Sequence, residues 1–262
     1  MNPFIEHTLT DGVLLVQLNR PDVLNSFNFE MADQFLEVFQ TAKENDTVRC
    51  VLITGNGRAF CAGQDLEEVV EIGKDPDREL SEVVQHTYNP IILAIRELLK
   101  PVICAVNGTA AGAGANIALA CDLVLASEKA KFIQSFSQIG LIPDSAGSFI
   151  LPRLIGLARA TELCFTGRPV TAPEAVSMGM IYKAVAADEL LNEAHALASK
   201  LASMPTRGFG LTKKAFNAGF SNTLHQQLEL EGALQAEAGK THDYKEGVAA
   251  FLEKRKPVFT GN

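Results

Sequence analysis

Apolar and polar positions divide the chain into two halves with different periodicities. In the first half, short runs rich in β-branched residues predict buried strands. These runs are GVLLVQL from Gly12, VRCVLIT from Val48, PVICAV from Pro101 and CDLVLA from Cys121. Between them, segments that begin at Phe29 and Leu80 carry apolar residues three and four positions apart, which predicts helices. The alternation favours an α/β fold with a largely parallel sheet.

Helical patterns dominate the chain after about residue 155. They are ARATELCFTG, LLNEAHALASKLASM, FGLTKKAFNAG, TLHQQLELEGALQAEAG and DYKEGVAAFLEKR. Their apolar stripes require a partner surface, and no linker rich in proline or serine precedes them. We expect these helices to pack on the α/β core or on another subunit.

Composition narrows the class of protein. The chain has 262 residues, of which 47% are hydrophobic, so it is long enough to bury a substantial core. The formal net charge of −8 disfavours nucleic-acid binding, which requires clustered Lys and Arg. The beginning of the chain lacks the pattern of a targeting signal, and no apolar stretch is long enough to span a membrane. We expect a cytoplasmic protein that binds neither nucleic acid nor membrane.

Cysteine and histidine residues show no metal-binding pattern. The five cysteines are scattered without CxxC spacing, and the five histidines form no HxH or HExxH motif. Several of the cysteines lie in apolar runs, which is typical of buried free thiols in a reducing compartment. We therefore expect no bound metal ion.

Two predicted strands are followed by turns of small residues that lead into helices. The segments are VLITGNGRAFCAGQDL and VICAVNGTAAGAGANIALA. Glycine and alanine let another molecule approach the main chain, and the start of a helix presents unpaired N–H groups. Two interpretations remain open: the N–H groups near Gln64 and Ala113 form an oxyanion hole, or both segments are ordinary tight turns.

The second turn is not a nucleotide-binding motif. Residues 112–117 depart from GxGxxG because Ile117 stands at the third glycine position. No acidic residue follows at the distance that a ribose hydroxyl requires, and a GxxxxGK[ST] loop is absent from the sequence. The sequence therefore predicts no dinucleotide or nucleotide cofactor.

Asp144, in the segment IGLIPDSAG, is open to a structural and a chemical interpretation. It could cap the helix that SAGSFILPRL predicts, where its carboxylate would accept main-chain N–H groups. Alternatively, the apolar residues on both sides would desolvate the carboxylate and raise its pKa, as a general base requires. Among other candidates, Asp122 is expected to make a structural hydrogen bond, and His86 and Tyr88 are expected to pack or to line a site.

Four segments in order resemble the crotonase (enoyl-CoA hydratase/isomerase) superfamily. They are GRAFCAGQDL, NGTAAGAGANIALACDLVLAS, IGLIPDSAG and EGVAAFLEKRKPVF, and the resemblance extends over essentially the whole chain. The family fold implies an α/β spiral of ββα units with a C-terminal helical region that builds a homotrimer or a hexamer. By this resemblance we expect a core over residues 1–200 and, over residues 201–262, helices for oligomerisation and pocket closure.

The resemblance also implies an acyl-CoA site. The main-chain N–H groups of Gln64 and Ala113 would bind the thioester oxygen in an oxyanion hole. Further residues are expected to contact the coenzyme A thioester. These are Leu24, Asn25, Ala62, Gly63, Gln64, Asp65, Leu66, Gly112 and Lys254. For Lys254 the contact is expected either in its own subunit or to the coenzyme A of a neighbouring subunit. Coenzyme A is part of the substrate, so the resemblance implies no separate cofactor.

Departures from the family pattern bear on the reaction. The hydratase branch uses two glutamates, and their positions match Asn116 and Phe136, which cannot act as general acid or base. The isomerase and ring-opening branches place a carboxylate about eight residues after the second glutamate, and Asp144 stands there. We therefore predict an acyl-CoA isomerase with Asp144 as its base. The alternatives are an enoyl-CoA hydratase and a crotonase-like protein that binds acyl-CoA or RNA without catalysis.

Overall fold

Strands and helices alternate through most of the chain. The structure is a computed structural model and describes residues 3–72, 74 and 79–262. Its strands are Ile5–Thr10 (β1), Val13–Leu18 (β2), Cys50–Gly55 (β3), Ala59–Cys61 (β4), Val102–Val106 (β5), Thr109–Ala111 (β6), Leu123–Ser127 (β7), Lys131–Ile133 (β8), Pro169–Thr171 (β9) and Lys183–Val185 (β10). Its helices are Phe29–Glu44 (α1), Leu66–Ile72 (α2), Leu80–Val83 (α3), Asn89–Glu97 (α4), Ala113–Ala120 (α5), Gly147–Ile155 (α6), Leu157–Thr166 (α7), Ala172–Ser177 (α8), Leu190–Ala202 (α9), Thr206–Gly219 (α10), Leu224–Ala238 (α11) and His242–Glu253 (α12).

The larger sheet has six strands in the order β1-β2-β3-β5-β7-β10. Only β1 and β2 pair antiparallel, and the other neighbours pair parallel, as the sequence predicts. Parallel neighbours require a crossover connection between them, and helices lie in these connections, for example α1 between β2 and β3. The α/β class is confirmed.

Strand β3 shows how both faces of this sheet are buried. Its side chains alternate between two clusters: Val51 and Ile53 belong to the main core, whereas Cys50 and Leu52 face the opposite cluster. Helix α9 closes that opposite face with residues spaced by four, including Leu190, Ala194 and Ala198. A strand buried on both faces reads as a continuous apolar run, which explains the sequence VLIT.

The smaller sheet contains four short strands in the order β4-β6-β8-β9. Strand β3 is followed by β4, β5 by β6 and β7 by β8, so three strands of the large sheet are each followed by a short strand of the second sheet. Helices α2 and α5 follow the first two pairs, which gives the ββα units expected from the resemblance. The sequence pattern did not predict these short strands, because three residues are too few to show a period of two.

The helix predicted from Leu80 is interrupted by one π-helical turn. This turn covers Val84–Tyr88 and lies between α3 and α4. The N–H of Asn89 bonds to the carbonyl of Val84, five residues back, and Pro90 follows without an N–H of its own. The widened turn sets the position of Tyr88, which is fully buried.

The C-terminal helices are attached to the core through a buried ammonium group. Lys213 on α10 donates hydrogen bonds to the carbonyl of Ile95 (2.7 Å) and to Oδ2 of Asp122 (2.8 Å). Asp122 also accepts the N–H of Val102 (2.8 Å), which is the structural role expected for it. The division of the chain after residue 200 stays a prediction. Helix α9 runs past this point to Ala202, which packs with the large sheet.

Some apolar side chains of the last helices face outward. On α12, Phe251 and Leu252 are 82% and 74% exposed, and Phe216 on α10 is also exposed. None of the helices in the described ranges is long and apolar enough to cross a membrane.

Candidate active site

The two small-residue turns lie in contact with each other. Gly63 has a φ of +97°, and a Cβ atom built there would be 3.0 Å from the carbonyl oxygen of Ala111 and 3.4 Å from the nitrogen of Ala113. Any side chain at this position would therefore push against the main chain of the second turn. The sequence places a glycine where the two main chains need to approach closely.

The N–H group of Gln64 has no acceptor within the described part of the chain. Phe27 pairs with this segment by donating to the carbonyl of Gly63 (2.7 Å) and accepting from the N–H of Asp65 (2.8 Å). In an extended segment successive peptide groups point in opposite directions, so the N–H of Gln64 points away from Phe27. It is available to bind an acceptor from outside the chain.

Ala113 contributes a second unpaired N–H group, because it is the first residue of α5. The preceding Gly112 has φ +53° and ψ −127°, a conformation suited to glycine, and it offers no side chain to cap the helix. Among the described residues no acceptor bonds to the N–H of Ala113. Two free main-chain donors on adjacent turns are the elements of an oxyanion hole.

Asp144 is half-buried between the short 3₁₀ turn Ser135–Ile139 and helix α6. Its Oδ1 accepts a hydrogen bond of 2.8 Å from the hydroxyl of Ser145. Burial raises the pKa of Asp144, and the hydrogen bond from Ser145 opposes this shift. Asp144 does not cap α6, whose N-cap is Ala146 without a side-chain hydrogen bond, so its carboxylate is not occupied by the helix.

Asn116 connects Asp144 to the second turn. Its Nδ2 donates a hydrogen bond of 2.9 Å to the main-chain carbonyl of Asp144, and its Oδ1 accepts one of 2.9 Å from Gln134. Asn116 lies three residues after Ala113 on α5, so both lie on the same side of the helix. Asn116 therefore ties the main chain of Asp144 to the first turn of the helix that begins at Ala113.

Phe136 is buried beside the same turn. A Cβ atom built on Gly112 would be 3.9 Å from its Cζ. The two positions that match the hydratase glutamates thus hold an amide bonded to the main chain of Asp144 and an apolar ring.

Tyr88 takes part in the site in a way that the sequence did not predict. Its hydroxyl donates a hydrogen bond of 2.6 Å to Oε1 of Gln64, and Nε2 of Gln64 donates to Glu68 (3.2 Å). Burial first, and then electrostatic interactions with neighbouring acidic groups, among them Asp144, raise the pKa of Tyr88 well above its usual range, so the phenol stays protonated. The dipeptide Asn89-Pro90 was the available sequence signal for a break in the helix at this point.

Most of the residues predicted to bind coenzyme A lie together. The N–H of Ala62 bonds to the carbonyl of Leu24 (2.9 Å), and Asn25 is buried. Leu24 and Asn25 both have positive φ, +55° and +56°, which is strained for residues other than glycine. Leu66 begins α2 directly after the first turn and is exposed.

Arg20 stabilises this region and was not among the predicted site residues. It forms an ion pair of 2.9 Å with Asp65 and donates to the carbonyl of Ser26 (2.6 Å). Its N–H also bonds to the side chain of Asn25 (2.8 Å). Arg20 thus links the two segments of the predicted coenzyme A site, and the sequence NRPDVLNSF carried this signal.

Lys254 makes no hydrogen bond or ion pair with the other residues predicted to bind coenzyme A. It ends α12 with a φ of +54°, and no hydrogen bond or ion pair joins its ammonium group to another described residue. Its contact with coenzyme A, in the same subunit or a neighbouring one, stays a prediction.

Cys61 lies beside the first turn, where the N–H of Gly63 points to its sulfur, and it is fully buried. Burial raises the pKa of the Cys61 thiol to about 12, so this cysteine is not an activated nucleophile. Among the described residues no group of three or more His, Cys, Asp or Glu side chains is placed to hold a metal ion.

Comparisons with known proteins agree with this architecture. The enoyl-CoA hydratase/isomerase family model matches residues 8–262. The chain is 49% identical to 1,2-epoxyphenylacetyl-CoA isomerase of Escherichia coli K12 over 100% of both chains. It is 43% identical to a Rhodobacter capsulatus protein described as a probable enoyl-CoA hydratase, over 98% of each.

Solved structures show the same fold. A crystal structure of an enoyl-CoA hydratase from Polaromonas sp. JS666 superposes with a TM-score of 0.91 and 35% identity, covering 97% of this chain and 99% of that one. The family match over nearly the whole sequence and the shared fold lead to one conclusion: the chain belongs to the enoyl-CoA hydratase/isomerase family, the crotonase superfamily.

Proposed function

We propose that this protein is an acyl-CoA isomerase in which Asp144 moves a proton beside an oxyanion hole. The main-chain N–H groups of Gln64 and Ala113 bind the thioester oxygen. These donors stabilise the negative charge that develops on this oxygen when the neighbouring carbon loses a proton. The observation that carries the proposal is the attachment of Asp144, through Asn116, to the helix that begins with one of the two free N–H groups.

The proposed reaction requires one carboxylate. For a 3-enoyl-CoA, Asp144 accepts the proton from C2, the enolate extends over the double bond, and the same carboxyl group returns the proton to C4. The double bond moves from C3–C4 to C2–C3, and no atom is gained or lost. Burial supports this role because it raises the pKa of Asp144 towards neutral pH. A group with such a pKa can both accept a proton and return it.

We propose 1,2-epoxyphenylacetyl-CoA as the main substrate, rearranged to a seven-membered oxepin ring, with the 3-enoyl to 2-enoyl shift as a related activity. Support comes from the full-length similarity to the Escherichia coli isomerase. The apolar ring of Phe136 beside the second turn also favours an apolar acyl group over a charged acyl group.

Hydration of a 2-enoyl-CoA is the second candidate, because the Rhodobacter capsulatus and Polaromonas relatives carry hydratase names. Water addition needs groups that position and activate a water molecule. At the two corresponding positions, Asn116 uses both ends of its amide in protein hydrogen bonds and Phe136 has no polar group. A silent acyl-CoA binder or an RNA binder is the third candidate; the net charge of −8 disfavours RNA.

A trimer, or a hexamer of two trimers, stays part of the proposal. The exposed apolar side chains of α10 and α12, among them Phe216 and Phe251, support a subunit contact there.

A panel of three coenzyme A thioesters tests the proposed function: the aryl epoxide, a 3-enoyl-CoA and a 2-enoyl-CoA. Products are followed by mass spectrometry and chromatography. We expect new isomers of unchanged mass from the first two substrates and little product from the third. Gain of the mass of one water as the main reaction would favour the hydratase, and binding without any product would favour the silent binder.

A further inference from the structure

Two buried amide side chains form a directed chain of hydrogen bonds that ends on the main chain of Asp144. Gln134 donates to Asn116 and Asn116 donates to the carbonyl of Asp144, both at 2.9 Å. Asn116 and Gln134 are only 1% and 4% exposed. Because a carbonyl can only accept, the amide of Asn116 has to face Asp144 with its NH₂ group and Gln134 with its oxygen.

The segment that follows Asp144 is strained and needs outside support. Ser145 and Ala146 have φ values of +50° and +58°, which cost residues other than glycine about 1–3 kcal/mol each. The carbonyl of Asp144 accepts the N–H of Gly147 (2.8 Å) within the turn, and Asn116 supplies the hydrogen bond from outside it. A methyl group on Gly147 would overlap the Asn116 amide, so the turn and this amide are in direct contact.

Gln134 places a polar side chain in the core, where it is 4% exposed. Its Oε1 is buried without a hydrogen-bond partner among the described residues. An unsatisfied buried acceptor costs about 1–3 kcal/mol, and an apolar side chain of similar size would avoid that cost. The amide is used at its other end, where Nε2 donates to Oδ1 of Asn116 and so fixes which way the Asn116 amide faces.

We infer that Asn116, oriented by Gln134, is a positioning residue that fixes where the carboxylate of Asp144 meets the substrate. The inference rests on the proposed function, since it assigns to the pair the placement of the proposed base. A displacement of the base by about 1 Å is enough to lower the rate by about 100-fold. Neither amide touches the reacting atoms in this account; both act through the main chain of Asp144.

The test compares Gln134→Leu and Asn116→Asp with the wild-type protein on a 3-enoyl-CoA. Gln134→Leu removes the group that orients Asn116, and Asn116→Asp keeps the shape but loses the NH₂ donor. We expect kcat to fall about 10-fold in the first variant and more in the second, while KM changes less than about 3-fold. The melting temperature of Gln134→Leu should change little, because the variant loses the unpaired Oε1 of Gln134 but leaves Oδ1 of Asn116 without its donor.

Gln138→Leu is the matched control. It removes the same amide four residues later, where the side chain bonds to the carbonyl of Gly167 (3.2 Å) rather than to Asn116. We expect unchanged kcat and KM in this control. A merely structural pair would instead lower the melting temperature and leave kcat of the folded fraction intact; that result, or unfolding of Gln134→Leu, would overturn the inference.

Asp144→Asn is measured in the same series so that the two claims fail separately. If Asp144→Asn keeps its activity, the proposed function is wrong. If Asp144→Asn is inactive while Gln134→Leu and Asn116→Asp keep wild-type kcat, the function stands and the positioning role is wrong.

Discussion

The hydroxyl of Tyr88 donates a hydrogen bond of 2.6 Å to the side-chain oxygen of Gln64, the residue whose main-chain N–H is one of the two free donors. Glu68 accepts from the other end of the same amide (3.2 Å). The side chain of Gln64 is thus held at both ends, which restricts the peptide group that points toward the proposed substrate. A ring buried at a π-helical turn supports a donor on a different segment of the chain.

Tyr88→Phe should weaken the oxyanion hole. The variant keeps the ring but leaves Oε1 of Gln64 without this donor. We expect kcat/KM to fall about 10-fold. This is less than the loss from removing an oxyanion-hole donor, because the main-chain N–H of Gln64 is still present. The free energy of unfolding should fall by about 1 kcal/mol. Steady-state kinetics and urea unfolding measure both effects. Tyr182→Phe, which alters an exposed phenol, is the control; equal effects of the two substitutions would contradict the role given to Tyr88.

Ser145→Ala should move the acid limb of the pH profile to higher pH. The hydroxyl of Ser145 lowers the pKa of Asp144 against the larger effect of burial, so its removal raises that pKa further. Because the base acts as carboxylate, activity falls as pH decreases through this pKa, and the variant loses activity at a higher pH than wild type. The pH dependence of kcat/KM gives the midpoint. Ser148→Ala on the exposed side of α6 should leave it in place.

Gly63→Ala should abolish most of the activity. Its Cβ would be 3.0 Å from the carbonyl oxygen of Ala111 at a φ of +97°, so the two turns would have to separate. We expect a loss of about 10²–10³-fold in kcat, as for removal of an oxyanion-hole donor. Gly156→Ala is a matched control with φ +80° and no atom within 4 Å of the Cβ, so it carries the strain without the clash. Similar kinetic losses in both variants would show that strain, and not the hole, is responsible.

Asp144→Asn should increase stability at neutral pH. The pKa of Asp144 is raised in the folded state, so the folded protein holds this proton more tightly than the unfolded chain. Its contribution to stability is therefore greatest below the unfolded pKa and is lost as pH rises through the raised pKa. The amide does not titrate. Urea unfolding of both proteins at several pH values should show the variant gaining on wild type as pH rises, whereas a constant difference would contradict the raised pKa.

Much of the fold could be predicted from the sequence, because the long elements repeat their pattern often enough to be recognised. The apolar runs gave the strands of the large sheet, and the spacing in FEMADQFLEVFQTAKE gave α1. The short strands of the second sheet were missed, since Ala59–Cys61 and its partners show no periodicity. The helix from Leu80 was predicted as continuous because a π-helical turn leaves the apolar spacing almost unchanged.

The site was predictable in its residue types but not in its contacts. Glycine at positions 63 and 112 and the carboxylate at 144 could be read from local sequence and from the resemblance. The hydrogen bonds of Asn116 and Tyr88 join segments that are 28 and 24 residues apart, and no local pattern reports such pairs. For the same reason Asn116 was predicted only as a lost glutamate, and its bond to the main chain of Asp144 emerged from the structure.

Whether Asp144 moves the proton is decided by single-turnover isomerisation of a 3-enoyl-CoA with the Asp144→Asn variant. Binding of a saturated acyl-CoA is measured on the same preparation, so that loss of chemistry is separated from loss of the site. We expect that the conjugated 2-enoyl product no longer forms, while affinity for the saturated thioester changes less than about 10-fold. Formation of that product at a rate near wild type would show that Asp144 is not the base.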